Sequence, residues 1–460
     1  MKLNNTVETQ HRARLVTRAG IAFACIGLML WQSSARAEDL MQVYQLAKQH
    51  DAIYAAAQAS WSAQQEKVVQ ARATLKPNVH LSASTTHEST DTQFKGALPF
   101  PGGKQTFNTT AYGVTLTQPL YNKQDWEQLN ESELLVKQAD AKLKLAQQDL
   151  ILRVAQAYFD TLIVQDNLVF VGAQKKAIAK QLQQAKRKFE VGSNTITDVD
   201  EAQARYDLVV ANEIAAKNAV LVKNRALAKL TGEPLSTLAT LDAQWQPSAP
   251  EPADESKWLS LTSRANLNVV IQRAAYEIAE KEIQRQRGYL YPTLDLVAGY
   301  QKSSSNGNAS FGIGSDVTDA SIGLQLSVPI YSGGAANSRD REAVHNKEAA
   351  RYQLEDAERG AKLGASQAYL GVFNGVAQVK AFNQAVLSNQ NLLKSSERGW
   401  QLGTGTAVDV LNAQQQLYSA KRDLQQAKYN TLLSQLQLNA SVGELKESDL
   451  KKINDQLIEQ

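Results

Sequence analysis

Four short stretches of the chain alternate apolar and polar residues, and they come in two pairs. The clearest is SIGLQLSV at 321–328, where isoleucine, leucine and valine share one face while serine, glycine and glutamine share the other. Similar alternation predicts strands at about 293–300, 78–90 and 107–118. Ordinary half-buried hairpins give such a pattern, but long strands with small polar residues on one face also suit a transmembrane barrel. The polar loop at 303–316 favours the barrel.

Helical periodicity fills most of the remaining chain. It predicts amphipathic helices at about 39–73 and 256–287, and two much longer helices at about 123–190 and 337–402. A helix of about 65 residues is about 100 Å long, and such a helix needs a coiled-coil seam. The alternative is an amphipathic helix lying on a globular core, but that arrangement favours bulkier side chains on the buried face.

Both long helices carry a seam of mostly small apolar residues at equivalent places. Steps of four and three residues predict a left-handed coiled coil whose backbones approach closely. The seam positions are Ala139, Leu143, Ala146, Leu150, Val154 and Ala157, then Ala350, Leu354, Ala357, Ala361, Ala365 and Ala368. The helices that follow each turn phrase have apolar residues with the same spacing, at Val199, Ala202, Tyr206, Val209, Val410, Ala413, Leu417 and Ala420.

The recurrence of these seams marks an internal duplication with an offset of 211 residues. VGSNTITDV at 191–199 returns as LGTGTAVDV at 402–410 with that offset. Two copies of one unit indicate a duplicated fold rather than a solenoid, and a proline-rich stretch without periodicity separates them. The predicted units are a signal peptide at 1–37, a first repeat at 38–243, a linker at 244–257, a second repeat at 258–445 and a C-terminal tail at 446–460.

The first 37 residues predict a cleavable secretory signal peptide. Basic residues precede an apolar run of 13 residues and a small-residue site, with cleavage between Ala37 and Glu38. A membrane anchor would need about 20 apolar residues. The signal contains Cys25, the single cysteine, so the mature chain is predicted not to be a lipoprotein. The signal has a net charge of +4, whereas the whole chain has a net charge of +3. The mature chain is therefore near neutral, which gives no reason to expect a nucleic-acid partner.

No catalytic constellation accompanies these elements. Four histidines lie outside the signal, at His50, His80, His87 and His345, and none is spaced as a metal-binding pair. His80 and His87 would fall on opposite faces of one strand. Phosphate-binding and nucleophile-elbow motifs do not occur in the sequence. The sequence therefore predicts no enzyme activity, no metal and no other cofactor.

Several motifs follow one another in order along the chain: EDLMQVYQLA at 38–47, TQPLYNKQDW at 117–126, SVPIYSGG at 327–334 and the two turn phrases. Together they resemble those of TolC-type outer-membrane channels, the outer membrane factor family, over essentially the whole mature chain. The resemblance implies an α+β membrane protein that forms a homotrimer. Four strands from each protomer would build a 12-stranded β-barrel, continued into a long α-helical coiled-coil barrel. The strand count agrees, because four strands cannot close a barrel and an open sheet edge in lipid is unfavourable.

The resemblance also implies a function. The trimer would be a passive exit duct in the Gram-negative outer membrane, surrounded by outer-membrane lipid and extending into the periplasm. It would serve tripartite efflux pumps, type I secretion or both. Recruitment to a periplasmic adaptor and an inner-membrane transporter of the RND, ABC or MFS type would open it. The alternative from another class is a pore-less coiled-coil surface adhesin.

The two turn phrases carry the predicted functional residues. Their glycines permit left-handed backbone, and Thr195, Thr197, Thr404 and Thr406 can cap the helices that follow. Helix capping is expected to explain the aspartates of the two phrases less well than it explains their glycines and threonines. By resemblance, Asp409 lines the pore constriction, where three carboxylates would form a cation filter. Asn412 lies one turn further on, where related channels have a second acidic residue.

The resemblance assigns two further sets of residues to the turns. The predicted contacts of the periplasmic gate are Gln181, Thr197, Asp198, Trp400 and Gly405. The predicted contacts with the adaptor are Gly192, Ser193, Gly403 and Thr404. Trp400 and Gly405 stand where related channels have tyrosine and arginine. The gate is therefore predicted to have fewer charge-assisted contacts and to open more easily.

Overall fold

A computed structural model describes residues 37–93, 95, 103–193, 195–235, 237–308 and 313–458. The predicted signal peptide lies outside the described residues, apart from Ala37. The helices are α1 (Leu40–His50), α2 (Ala52–Ala73), α3 (Lys123–Glu190), α4 (Ile196–Thr231), α5 (Glu255–Ala265), α6 (Leu267–Gly288), α7 (Ala335–Leu402), α8 (Ala407–Ser441) and α9 (Glu447–Asn454). The strands are β1 (Asn78–Thr92), β2 (Gly103–Tyr121), β3 (Thr240–Leu241), β4 (Thr293–Ser305), β5 (Ser315–Ser327) and β6 (Leu457–Ile458).

The two shorter predicted helices are each divided into two, so the prediction of one continuous helix in each place is wrong. The breaks fall at Asp51 and Asn266. The carboxylate of Asp51 accepts a hydrogen bond from the backbone N of Tyr54 at 2.7 Å, and the amide oxygen of Asn266 accepts one from that of Asn268 at 3.0 Å. Short polar side chains of this kind cap a new helix and end the previous one.

The four long strands form one antiparallel sheet in the order β1-β2-β4-β5. Each repeat supplies one hairpin, and β2 pairs with β4 to join the repeats. The pairing register gathers apolar residues on one side, which we call the apolar face. Its members are Val79, Leu81, Val114, Leu116, Leu294, Leu296, Ala298, Ile322, Leu324 and Leu326. The opposite face is mostly serine, threonine and glycine. The predicted strand alternation is therefore confirmed.

The long helices pack in pairs. Helices α3 and α4 with the turn at 191–195 form hairpin 1, and helices α7 and α8 with the turn at 403–406 form hairpin 2. Helices α3 and α7 have 68 residues each, which corresponds to about 100 Å. Every predicted seam residue is buried or half-buried, so the predicted seams are confirmed. Among the described residues, no helix is both long enough and apolar enough to cross a membrane.

The largest hydrophobic core lies midway along α3. Helix α3 contributes Leu150, Val154 and Phe159, which pack with residues of α1, α8 and α9. The segment predicted as a C-terminal tail contributes to this core, because Leu450 and Ile453 of α9 are buried there. Strand β6 of the same segment pairs with β3. These contacts hold the centre of both hairpins, while the turns lie at their far ends.

Candidate functional site: the two helical turns

The two turns have the same backbone geometry. Gly192 has a φ of 73° and Gly403 a φ of 76°, values that favour glycine. The amide of Ser193 donates to the carbonyl of Lys188 at 2.8 Å, and the amide of Thr404 donates to that of Gly399 at 2.9 Å. Both are six-to-one bonds of the Schellman type, which satisfy the last carbonyls of a helix. The repeated glycines therefore end α3 and α7.

Each turn then starts the next helix with a reciprocal capping box. In hairpin 2, the Thr406 hydroxyl accepts from the backbone N of Asp409 at 3.1 Å, and the Asp409 carboxylate accepts from that of Thr406 at 2.9 Å. Thr195 and Asp198 make the same exchange in hairpin 1. The expectation that capping explains the aspartates poorly is wrong, because both are partners in the caps. Of the four threonines, Thr195 and Thr406 are the helix caps.

Asp409 is exposed at the end of hairpin 2. Hydrogen bonds from the side chain and backbone of Thr406 hold the pKa of its carboxyl below the usual value, and a first-turn carboxylate is also favoured by the helix dipole. Asp409 is therefore an anion at neutral pH. Asn412, one turn later, is exposed, and its amide oxygen accepts a hydrogen bond from Nη2 of Arg205 at 3.2 Å.

The predicted gate residues do not meet within one protomer. Among the described residues, no hydrogen bond, ion pair or ring contact joins Gln181, Thr197 or Asp198 to Trp400 or Gly405. Gln181 is buried in α3, and Thr197 is exposed.

Trp400 and Gly405 instead support the local fold of the second turn. Trp400 is 9% exposed and packs with Ala407 and Val410. The amide of Gly405 donates to the carbonyl of Gly399 at 3.1 Å. A Cβ at Gly405 would lie 3.3 Å from the carbonyl carbon of Gly399, so a larger side chain would press on the end of α7.

The predicted adaptor contacts are accessible in the protomer. Gly192, Ser193, Gly403 and Thr404 are all exposed at the tips of the two hairpins. In each turn, backbone groups of these residues take part in the hydrogen bonds that end the helix. The outer surface of the turn remains open to a partner.

Two cationic residues at the turns were not predicted. Nζ of Lys188 lies 3.9 Å from the centroid of the Trp400 ring. Arg205 donates to Asn412 and also, through Nη1, to the amide oxygen of Gln415 at 3.1 Å. Both cations belong to hairpin 1, and their three partners belong to hairpin 2. The pairs join distant parts of the sequence, so periodicity within either helix gave no signal for them.

Comparisons with known proteins agree with this architecture. The sequence profile of the family described as "Outer membrane efflux protein" matches residues 43–233 and 258–444. Outer membrane protein TolC of Vibrio cholerae is 34% identical over 94% of this chain and 97% of that protein. Alkaline protease secretion protein AprF of Pseudomonas aeruginosa is 30% identical over 93% of this chain and 89% of that protein. The crystal structure of the CmeC outer membrane channel of Campylobacter jejuni is similar in fold, with a TM-score of 0.76, 16% identity and coverage of 92% of this chain and 90% of that one.

Proposed function

The chain belongs to the outer membrane efflux protein family and is an outer-membrane channel for efflux and secretion; from this premise we propose that three copies form one continuous duct. Four strands of each protomer contribute to a shared 12-stranded barrel, and the six hairpins continue it as a helical tunnel. The observation that carries the proposal is a sheet with an apolar face and two free edges, attached to helices about 100 Å long.

The sheet supports assembly because, in the part of the chain that the structure describes, its edge strands β1 and β5 each pair with another strand on one side only. In lipid, the free backbone groups would lack hydrogen-bond partners, which is costly. Pairing of β5 with β1 of the next protomer would satisfy them and close the barrel.

Tyrosines at both ends of the apolar face support its contact with lipid. Tyr112 and Tyr300 lie towards one end, and Tyr121 lies at the other. Tyr112 and Tyr121 are nine positions apart on β2, which corresponds to about 30 Å along the strand and about 23 Å across a membrane at a tilt of about 40°. Barrels of the outer membrane have apolar bands of about 25 Å between aromatic girdles.

Asp409 is the residue proposed to form the constriction. Threefold symmetry would bring three of these anions to one axis at the tip, where a ring of carboxylates selects cations. Asn412 would stand one turn above the ring and add no charge. In the described part of the protomer, the gate residues Gln181, Thr197 and Asp198 make no hydrogen bond, ion pair or ring contact with the other turn, so we place their contacts between protomers.

The exposed turn residues Gly192, Ser193, Gly403 and Thr404 are the proposed contact surface for a periplasmic adaptor. An inner-membrane transporter would supply the energy, and the signal at 1–37 would direct export across the inner membrane. The relative named for alkaline protease secretion supports a role in type I protein secretion alongside efflux. No comparison supports the adhesin alternative.

Planar-bilayer recording and mass measurement of the purified protein test the channel itself. We expect a trimer with a discrete, small resting conductance. A monomer that gives no conductance would contradict the proposal and revive the adhesin.

The constriction is tested by Asp409→Asn, because an asparagine keeps the capping acceptor and removes the charge. We expect the variant to lose block by trivalent cations. Asp200→Asn is the matched control, since Asp200 is an exposed carboxylate near the start of α4 that belongs to none of the predicted site sets, and it should leave the block unchanged. Equal block in Asp409→Asn and the wild type would place the constriction elsewhere.

A further inference from the structure

A cluster of charged side chains joins the two repeats next to the sheet. Helix α3 begins directly after β2, and α6 ends shortly before β4. These are the two strands through which the repeats pair. About two turns into α3, Oε2 of Glu131 lies 3.1 Å from Nε of Arg285 on α6. The cluster therefore lies where the contact between the repeats passes from the sheet to the helices.

The same guanidinium is shared with a second carboxylate. Nε and Nη2 of Arg285 donate to Oε2 and Oε1 of Glu282 at 2.6 and 2.7 Å. The side chains of Glu131 and Glu282 are only 18% and 23% exposed. Two carboxylates that both lie within about 3 Å of one nitrogen repel each other, and one arginine balances the charge of only one of them.

The hydrogen bonds of the cluster also leave an acceptor without a donor. Nε2 of Gln286 donates to Oε1 of Glu282 at 2.5 Å. Oε1 of the same amide is buried and accepts no hydrogen bond from the described residues. A proton on one of the two carboxyl groups would add a donor to the cluster and would also remove one of its two negative charges.

Other charged groups on the neighbouring elements have partners of their own. The ion pairs around the cluster are Lys123 with Glu127, Lys347 with Glu280, and Arg287 with Asp340. Lys281 acts on Glu127, and the Tyr289 phenol acts on Arg285. Helix α2 also packs against α3, and the charged residues towards its end are Glu66, Lys67 and Arg72. Among the described residues, no side chain of α2 forms an ion pair or a hydrogen bond with Glu131.

The first repeat lacks the second carboxylate. Helices α2 and α6 have 22 residues each, and aligning them places Lys67 at the position of Glu282 and Gln70 at that of Arg285. Glu131 has a counterpart at Glu342, 211 residues later. The duplication therefore repeats the carboxylate of the long helix, whereas the carboxylate pair occurs only where α3 meets α6.

The titration of the two groups agrees with this charge count. Burial, and then the neighbouring carboxylate of Glu282, raise the pKa of Glu131 to about 7. Burial also disfavours the charge of Glu282, but hydrogen bonds from Arg285 and Gln286 outweigh it and hold the pKa of Glu282 below its usual value. Below neutral pH, the proton therefore resides on Glu131.

We propose that Glu131, Glu282 and Arg285 form a proton-binding site that joins the two repeats at the base of the sheet. With the proton bound, Arg285 balances the one remaining negative charge, and α3 packs closely on α6. Loss of the proton leaves a second, poorly solvated carboxylate, which weakens this contact. The site goes beyond the proposed channel function, because it makes the connection between the sheet and the helices sensitive to pH near neutrality.

The direction of the pH dependence follows from the raised pKa of Glu131. Such a carboxyl stabilises the folded contact while it is protonated, so its contribution is complete below about pH 4.5 and is lost as the pH rises through about 7. The pKa of Glu282 is lowered, so its contribution is lost only in more acidic solution. The range from about pH 6 to about pH 8 therefore isolates Glu131.

Amide hydrogen exchange of the intact protein tests the site. After correction for the intrinsic effect of pH, the opening constant of the amides at 127–135 is expected to rise about tenfold between about pH 6 and about pH 8. Glu131→Gln resembles the protonated carboxyl and should abolish the rise. Glu282→Gln should make it much smaller, because Arg285 then balances a single carboxylate.

Glu133→Gln is the matched control, since Glu133 is exposed on the same helix, and it should behave like the wild type. Histidines also titrate in this range, but they are the same in every variant and cancel in the comparison. An opening constant that does not change with pH in the wild type, or a rise that persists in Glu131→Gln, overturns the site.

Infrared spectroscopy of the wild type detects the bound proton without any substitution that could disturb folding. We expect a band of protonated carboxyl that disappears as the pH rises through about 7, in the wild type and in Glu133→Gln but not in Glu131→Gln. Absence of this band from the wild type contradicts the proposal. A wild type that shows the band but conducts no ions would contradict the channel and confirm the proton site.

Discussion

A charged cluster stabilises the helix break of the first repeat, whereas the second repeat has uncharged residues at the equivalent positions. Nη1 and Nη2 of Arg153 on α3 bind both carboxylate oxygens of Asp51 at 2.7 and 3.0 Å, and its Nε binds Asp149 at 2.6 Å. In the second repeat, the counterparts of these residues are Gly364, Asn266 and Gly360. A groove of about 610 Å³ lies there, lined in part by the two glycines and the asparagine.

This difference shows that the same helix break can be stabilised by either a charged or a neutral capping residue. Asp51 and Asn266 start a helix in the same way, because each caps the amides of the next turn. Only the aspartate needs a counter-charge, since it is 5% exposed and a buried carboxylate is costly without a partner. The neutral asparagine removes that need, and α7 can carry glycine where α3 carries arginine.

The largest predicted effect follows from breaking the charged cluster. Arg153→Met would leave the Asp51 carboxylate unpaired, and the expected loss of stability is about 3 kcal/mol in the unfolding of the solubilised protein by denaturant. The hydrogen bond from Arg153 holds the pKa of Asp51 below its usual value. The wild type therefore keeps this contribution at neutral pH and loses it as the pH falls below about 4.

The double variant Asp51→Asn, Arg153→Met is the control for that experiment. It reproduces the neutral capping residue of the second repeat and leaves no buried carboxylate unpaired, since Asp149, the other partner of Arg153, is 53% exposed. It should recover part of the lost stability and show a weaker dependence on acid. If the single and double variants are equally unstable, the loss comes from packing of the arginine stem and not from the bare carboxylate.

The close approach of α7 and α8 gives the next largest effect. At Gly375 a Cβ would overlap Thr431 Oγ1, and Thr431 is fully buried. Gly375→Val is expected to cost about 1–3 kcal/mol, because overpacking forces the helices apart. Thermal unfolding followed by circular dichroism measures it. The counterpart in hairpin 1 is already Val164, so Val164→Ile should have a much smaller effect, and equal effects would mean that both hairpins pack alike.

Substitution of glycines that face open space should instead raise the stability of the protein. An added Cβ at Gly360 or Gly364 meets no atom within 4 Å. Gly360→Ala and Gly364→Ala are each expected to raise stability by about 0.4–1 kcal/mol, since alanine is the better helix former. The same thermal measurement detects this. A loss of stability in either variant would indicate that another protomer fills the groove.

The smallest effect is expected at the ion pair between Lys223 and Asp160. Their side chains are 40% and 27% exposed, so Lys223→Met should cost only about 0.2–1 kcal/mol. The difference from the wild type should shrink in high salt, because exposed charges are screened. Ser434→Ala at the counterpart in hairpin 2 serves as the comparison and should show no salt dependence. A salt-independent loss at Lys223 would mean that its aliphatic stem is the stabilising part.

Much of the architecture could be predicted from local patterns. The helix predicted at 123–190 has those bounds in the structure, because its start and end are set by the capping residues Asn122 and Gly192. Strand alternation located all four long strands, since the period of two survives any arrangement of the sheet. The helix breaks at Asp51 and Asn266 were not predicted, because amphipathic periodicity continues through them.

The site was predicted less completely. Both turns and Asp409 were found from the repeated phrases, but the aspartates serve the caps as well as any pore. Lys188 and Arg205 were missed, because a charged residue on a helix surface has no distinguishing pattern until its partner is known. Trp400 was predicted only as a gate contact, and the cation that lies against its ring face was not predicted.

The sequence by itself determined the duplication, which is visible as a repeated pattern. It also determined most of the secondary structure and the conformation of each turn, because these depend on contacts within a few residues. Only the tertiary structure decided which repeat carries charged links, how β2 joins β4, and which side chains of hairpin 1 reach hairpin 2. The strand pairing and the contacts between hairpins join residues about 200 positions apart, and the charged links join residues 38 to 102 positions apart. Their proximity is set by the packing of whole helices and strands, and no local pattern encodes it.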